Sequence, residues 1–243
     1  MATGNGVEIS LIVPAYNESK NLPALLTELQ RLDLGARTEI VVVDDGSHDN
    51  TSQIARAAGA EVIRLEPNQG KGASVKAGFQ IAKGRLFVQI DADRQFRTAE
   101  IARLLQPLRD GSADIVFGSR FLKGSTLEPG AMAWTNALAH PVICLIAWIA
   151  CGVRVHDVMA GFKAFRRDCA AALELATSHF GYEAEILVKA GQLGCRVGEV
   201  PVSFLRRREG KSNIRKFRDG CLVLSTIARM ALTRPARNRH PHP

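Results

Sequence analysis

Asp91-Ala92-Asp93 follows directly on the apolar run Leu86-Phe87-Val88-Gln89-Ile90. Two carboxylates one residue apart at the C-terminal end of a strand project into the crevice where open α/β sheets bind ligands. Their oxygens suit a hard cation such as Mg²⁺ or Mn²⁺, which binds through one or two carboxylates plus substrate phosphates. A phosphate-bearing substrate is the first expectation; an isolated Asp-x-Asp reads equally as a solvated turn. Upstream, Pro14-Ala15-Tyr16-Asn17-Glu18 ends another apolar run. Pro14 has no N–H and is expected to close that ladder. Tyr16 can flank a nucleobase and Glu18 can accept from a ribose hydroxyl, unless the segment only caps the helix that begins near Leu22. In Asp44-Asp45-Gly46-Ser47 both carboxylates are expected to face the same crevice, with Asp45 accepting from base or ribose; taken alone the segment is a common turn. Asn68-Gln69-Gly70-Lys71-Gly72 is a glycine-rich entry to a helix whose lysine can reach a phosphate. It lacks Walker A spacing, and no G-x-G-x-x-G opens the first helix, which argues against a dinucleotide dehydrogenase.

The elements that must carry these residues alternate over the first 120 positions. Val/Ile-rich runs sit at 9–13, 39–43, 61–65, 86–90 and 114–118, with helical patterns at 22–32, 53–58, 73–82 and 101–108. Such alternation predicts βαβ units, a mostly parallel Rossmann-like sheet and helices on both faces. Near-continuous apolar strands fit burial on both sides. Asn50 or Thr51, and Thr98 with Glu100, are candidate helix starts. Beyond Arg120 the pattern changes. Residues 131–153 are apolar, but the run from Pro141 to Val153, between His140 and Arg154, is 13 residues. A spanning helix needs about 20, so this stretch is expected to be a buried or interfacial helix. Residues 214–232 form an amphipathic basic pattern, with Phe217, Cys221, Leu224 and Ala228 on one side and Arg215, Arg218, Ser225 and Arg229 on the other. Such a helix lies in a membrane interface or docks on its own domain. Residues 233–243 are expected to be a disordered tail.

The formal net charge of +8 is unevenly spread. Eleven Lys/Arg against Glu209 and Asp219 give +9 between Arg206 and Arg239, leaving −1 for the rest. A basic C-terminal stretch suits an anionic partner: phosphate, nucleic acid or an anionic membrane. Five cysteines without C-x-x-C spacing argue for reduced thiols in the cytoplasm and against a disulfide framework or zinc site. The first eight residues lack the basic and apolar regions of a signal peptide.

Val13-Pro14-Ala15-Tyr16-Asn17-Glu18, Val43-Asp44-Asp45-Gly46-Ser47 and Asp91-Ala92-Asp93-x-Gln95 resemble the motifs of family 2 inverting glycosyltransferases with the GT-A fold. Phe117-Gly118-Ser119-Arg120-Phe121, Asp157-x-x-x-Gly161-Phe162-Lys163 and Glu199-Val200-Pro201-Val202 resemble the dolichyl or polyprenyl phosphate sugar synthases of that family. The resemblance spans roughly residues 8–216. It implies one GT-A domain over 1–232, with a nucleotide-sugar half at 8–120, an acceptor half at 121–213 and the basic helix at 214–232. Pro14, Tyr16, Glu18, Val43, Asp45, Lys71, Asp91 and Ala92 would then line the nucleotide sugar. Asp91, Asp93 and Gln95 would hold Mg²⁺ or Mn²⁺. Asp93, Arg120 and Arg207 would serve catalysis, with Arg120, Asp157 and Lys211 at the acceptor phosphate. The family's late Arg-x-x-Gly-x-Ser-Lys is matched only in part, because Asn213 stands where the lysine belongs; Lys211, Arg215 or Lys216 are the substitutes. Residues 131–151 contain no arginine for the acceptor phosphate, leaving Asn136 and His140. His156 reads as structural, Asp157 as an acceptor group or a turn cap, and one of Glu183 and Glu185 as facing the site or as a charge on a helix's first turn.

The leading expectation is therefore metal-dependent transfer of a hexose, with GDP-mannose favoured over a UDP-sugar, to a polyprenyl or dolichyl phosphate. The protein would sit peripherally on the cytoplasmic face of an anionic membrane, with a separate membrane protein as a further partner. A soluble or protein acceptor is the alternative. A nucleic-acid-binding protein is the remote one, since the basic stretch lacks the interleaved aromatics on which bases stack.

Overall fold

The computed structural model describes residues 6–132, 134–179, 181–209, 225–227 and 229, with backbone alone for 134–139. The predicted alternation is present. Strands β1 (Ile9–Ala15), β2 (Thr38–Asp44), β3 (Glu61–Arg64), β4 (Leu86–Gln89) and β5 (Ile115–Ser119) are separated by helices α1 (Leu22–Gln30), α2 (Thr51–Ala57), α3 (Lys71–Ile81) and α4 (Ile101–Arg109). The apolar positions explain both types. β1 is buried at all seven residues, as a strand covered on both faces must be. α1 buries Leu22, Leu25, Leu26 and Leu29, and α4 buries Ile101, Leu104, Leu105 and Leu108, each a single helical stripe.

The second half adds β6 (Thr126–Leu127), α5 (Trp134–Cys151), β7 (Lys163–Arg166), α6 (Arg167–Ala172), α7 (Tyr182–Leu193), β8 (Val197–Pro201) and β9 (Ser203–Phe204). Seven strands form one sheet in the order β3-β2-β1-β4-β7-β5-β8. All neighbours are parallel except β7, which runs antiparallel between β4 and β5. Strands from both halves of the chain thus share one sheet. One face is covered by α1, α2 and α4, the other by α3, α5, α6 and α7, with an apolar layer on each side.

One expectation is corrected, one is met by a shorter element, and one falls largely outside the described residues. β1 does not stop at Pro14: its ladder with β2 runs on through Ala15, whose carbonyl accepts from Asp45 N at 2.9 Å. Only the ladder with β4 ends early, at Ile12. Main-chain groups alternate sides, so the donor that Pro14 lacks is on the β4 side, where no partner remains. α5 is the expected 131–153 helix, and no helix among the described residues is long and apolar enough to cross a membrane. Most of the 214–232 helix, the 233–243 tail, Lys211, Asn213, Arg215 and Lys216 lie outside the described residues, as does the Asn136 side chain. Residues 225–227 are helical, and Thr226 and Ile227 are buried against the domain, Ile227 in the layer containing α7.

The C-terminal ends of β1, β2, β4, β5 and β8 and the start of β7 meet at one edge of the sheet. The loops carrying Tyr16 and Glu18, Asp45, Asp91 and Asp93, and Arg120 leave from that edge, and the loop carrying Asp157 returns to it.

Candidate active site

Asp91 and Asp93 leave the end of β4, as their position after an apolar run requires. Lys71, the first residue of α3, brings Nζ within 2.8 Å of both Asp91 oxygens. The hydrogen bond is directed at Oδ2, and Oδ1 is buried without one. α3 starts at Gly70, whose φ of 96° favours glycine. A Cβ on Gly161 would lie 2.0 Å from Asp91 Oδ2, so this glycine leaves the space the carboxylate occupies. Asp93 Oδ2 is ion-paired with Arg207, which also lies 3.6 Å from Glu18 Oε1; Asp93 Oδ1 accepts from Gln95 N at 3.1 Å. Burial pushes the Asp93 carboxyl up, and Asp91 adds repulsion that Arg207 only partly offsets. Burial likewise raises Glu18, with Asp93 and Asp91 contributing, against the hydrogen bond from Asn21. Desolvation alone would lower Lys71, but Asp91 and Glu183 outweigh it and raise it.

Three crowded carboxylates, of which Asp91 is paired with Lys71 and Asp93 and Glu18 with Arg207, offer oxygens that suit a hard cation. Among the described residues no group of three or more His, Cys, Asp or Glu side chains is arranged to hold a metal by itself. Two aspartates are enough where substrate phosphates supply the remaining oxygens. Gln95 stands beside the pair, with Nε2 donating to the Leu205 carbonyl at 2.9 Å and so tying this loop to the segment that follows β9.

The other predicted residues divide by their partners. Tyr16 is half-buried and edge-on to His48, at 6.4 Å between ring centroids. The first two loops are knitted together by Asn17 N to Ser47 Oγ (2.8 Å), His48 N to Asn17 Oδ1 (2.8 Å) and Glu18 N to Thr51 Oγ1 (3.0 Å). Asp44 does not face the crevice. It is fully buried and takes Ser47 N, Ser52 Oγ and Arg64, so it braces the turn. Asp45 accepts from Asn68 Nδ2, Gln69 N and Gly70 N at 2.8–2.9 Å, which fixes the glycine-rich entry to α3. The Val43 side chain is buried in the apolar layer under α3, leaving only its main chain at the edge. Pro14 and Ala92 are buried beside the motifs they belong to.

Arg120 and Asp157 form a buried clamp. Asp157 accepts from Arg120 N (3.0 Å), Nε (2.6 Å) and Nη2 (2.8 Å), and its Oδ1 is 3.3 Å from His140 Nε2. Burial favours the neutral acid, but the Arg120 charge and hydrogen bonds overcome it and hold Asp157 below the usual carboxylate range. The guanidinium lies 4.9 Å over the Phe204 ring. His156, expected to be structural, has Nδ1 2.8 Å from Glu199 Oε2. Glu185 accepts from Ala176 N and Thr177 N, whereas Glu183 turns inward, 4.0 Å from Lys71 and with Oε2 unpartnered.

Sequence reasoning assigned no role to Lys163, Tyr182 or Gln89, which extend this polar core. Burial brings Lys163 down to about 8, against the pull of Glu183; its Nζ bonds the Ala160 carbonyl. Tyr182 Oη accepts from Gln89 Nε2 at 2.8 Å. The available signal was a glutamine inside a strand otherwise wholly apolar. Next to Arg120 opens an apolar pocket of about 300 Å³ lined by Phe121, His140, Cys144, Leu145, Trp148 and Arg154, among others. Beyond it α5 exposes Val142, Leu145, Trp148 and Ile149.

The family model for glycosyl transferase family 2 matches residues 10–173. A dolichyl-phosphate hexose transferase of Haloferax volcanii is 31% identical over 225 residues, covering 93% of this chain and 94% of that one. An undecaprenyl-phosphate mannosyltransferase of Micrococcus luteus is 30% identical over 224 residues, 86% of this chain and 88% of its own. A dolichol-phosphate mannosyltransferase of Pyrococcus furiosus is 34% identical over 215 residues, 86% of this chain and 60% of its own. Among solved structures, glucosyl-3-phosphoglycerate synthase from Mycobacterium tuberculosis in complex with UDP superposes with a TM-score of 0.74 at 21% identity, over 95% of this chain and 82% of that one. The likeness carries the fold. The resemblance drawn from the motifs is borne out for the family and, through these named relatives, for its polyprenyl-phosphate branch.

Proposed function

The chain belongs to glycosyl transferase family 2, and from that premise we propose that this glycosyltransferase moves a hexose from a nucleotide sugar, GDP-mannose in preference to a UDP-sugar, to a polyprenyl or dolichyl phosphate. The observation that carries the reading is Arg207. It comes from beyond the last described strand and lies against both Asp93 and Glu18, so the acceptor half closes onto the nucleotide-sugar motifs. The relatives whose names specify a lipid phosphate acceptor support the acceptor class.

Asp91 and Asp93, with Gln95 beside them, would hold a divalent cation, Mg²⁺ or Mn²⁺. Bound there, the cation neutralises charge on the departing nucleoside diphosphate. Tyr16, Glu18, Pro14, Ala92 and the main chain at Val43 line the nucleotide, Asp45 holds the loop beneath it, and Lys71 offers a second positive charge to the diphosphate. Arg120, oriented by Asp157, meets the acceptor phosphate where the apolar pocket opens. A phosphate monoester is already an anion and needs no strong base. The work of the chain is to align two anionic substrates and balance their charge, and in-line attack inverts the anomeric centre. The prenyl chain would run over Leu145, Trp148 and Ile149, which also suits peripheral contact with an anionic membrane surface at its cytoplasmic face.

The test is a transfer assay with GDP-mannose, UDP-glucose and UDP-N-acetylhexosamines, each with Mg²⁺ or Mn²⁺, a short polyprenyl phosphate and Asp93→Ala as control. Metal- and Asp93-dependent glycolipid from one donor supports the proposal. Donor turnover without glycolipid moves the acceptor to a soluble molecule or a protein.

A further inference from the structure

Outside the active site, two thiols on different elements touch. Cys169 is in α6, buried to 7% exposure, and Cys195 follows Gly194, the left-handed residue that ends α7. Their sulfurs are 2.7 Å apart with each thiol the other's partner. Both backbones are fixed: Cys195 N donates to Ala190 O at 2.9 Å, and Cys169 sits within a helix in the apolar layer containing α7. Neither Cys169 nor Cys195 is in a disulfide, and neither has a part in the transfer chemistry proposed above. Cys195 is half-buried, so a small oxidant reaches it first. The hydrogen bond from Cys169 lowers the Cys195 thiol below its ordinary value, making it the better nucleophile of the two. Asp114 beside it is held by Arg196, through Nε at 3.0 Å and Nη2 at 2.7 Å.

We propose that Cys169 and Cys195 are an oxidative modification site, at which a low-molecular-weight disulfide converts the thiol pair into an intramolecular cross-link between α6 and the end of α7. The Cys195 thiolate attacks one sulfur of the oxidant and releases one thiol, leaving a mixed disulfide. Cys169 then attacks the Cys195 sulfur, expels the second thiol and closes the bond. Two protein thiols lose two electrons and two protons, and one disulfide becomes two thiols. The closed loop contains the first turn of α7, which presents Tyr182 and Glu183 to the polar core beneath Asp91.

The full chain is incubated with oxidised glutathione, quenched in acid, unfolded, alkylated and mapped without reduction. The expected result is loss of two of the five alkylatable thiols, a linked peptide pair containing Cys169 and Cys195, and recovery of both thiols with dithiothreitol. In Cys169→Ser, glutathione remains attached at Cys195. Cys195→Ser melts like the parent under reducing conditions and forms no link. Five alkylated cysteines after oxidation, or adducts confined to Cys144, Cys151 or Cys221, overturn the proposal. Glycosyl transfer is not a readout here, so failure of the proposed activity leaves this test intact.

Discussion

Asp157→Asn unpairs a buried cation while keeping the side chain's shape, and the cost follows from the contacts. Asp157 is fully buried and Arg120 leaves 11% of its side chain exposed. Three hydrogen bonds at 2.6–3.0 Å join them. Removing one partner of such a pair costs ~3–5 kcal/mol, because the remaining charge stays desolvated. At ~2–4 °C per kcal/mol for a chain of this size, the melting temperature should fall by about 10 °C. Urea unfolding at neutral pH measures this directly, with Asp114→Asn as comparison. The partner of Asp114, Arg196, is 48% exposed and stays hydrated when unpaired, so that variant should lose far less than Asp157→Asn. The double variant Arg120→Met/Asp157→Leu should recover much of the loss, which separates orphaned charge from cavity. The pH dependence has a definite sign. Because Asp157 is held below its unfolded value of 3.8, its contribution is present above that value and disappears as pH falls through the folded one. The gap between parent and Asp157→Asn should therefore close in acid. If Asp157→Asn unfolds within ~0.5 kcal/mol of the parent, as an ordinary surface change does, the clamp is not what holds Arg120.

Gly161→Ala sets a methyl group against the Asp91 carboxylate, and a displacement of this kind costs about 100-fold in kcat/KM; transfer kinetics alongside a thermal melt separate that loss from unfolding. Lys163→Met should flatten the pH dependence of stability in alkali. The folded lysine titrates at about 8 and the unfolded one near 10.5, so over that window the unfolded chain binds more protons and the parent gains stability as pH rises; equal slopes for parent and variant would exclude a buried, depressed Lys163. Trp148→Glu/Ile149→Glu alters exposed residues, so stability should shift by less than ~0.5 kcal/mol, while co-sedimentation with anionic vesicles and transfer to vesicle-borne acceptor should drop together.

What could be read from the chain depended on how far away each residue's partner lies. β1, β2 and β4 announce themselves because strands covered on both faces are nearly all Val, Ile and Leu, and α1 between the first two carries a single apolar stripe. The acids at the ends of those strands follow from position alone, so Asp91, Asp93 and Glu18 were found at the right edge. β7 was missed because Lys-Ala-Phe-Arg has no strand pattern. It is a strand only because β4 and β5 pair with both its edges. β8 hides behind a glycine and a proline for the same reason.

The same distinction decides which charges work in the site. Asp44 and Asp45 are adjacent and look equivalent, yet Ser52 and Arg64 draw Asp44 inside, while Gln69 and Gly70 claim Asp45. Glu183 reads as a charge on a helix's first turn until Lys71 arrives from α3. Arg120 meets Asp157 across 37 positions, and Arg207 meets Asp93 across 114. A charge can be buried only against a partner, and where that partner is distant the local sequence resembles a solvated face. The candidate site edge is therefore written locally, in strand ends and acids, whereas its electrostatic balance is a property of the closed sheet. Variants that unpair Arg120 or Arg207, Asp157→Asn and Asp93→Ala among them, should consequently disturb folding and transfer together, while Gly161→Ala, which leaves both ion pairs in place, should lower transfer with a smaller effect on stability.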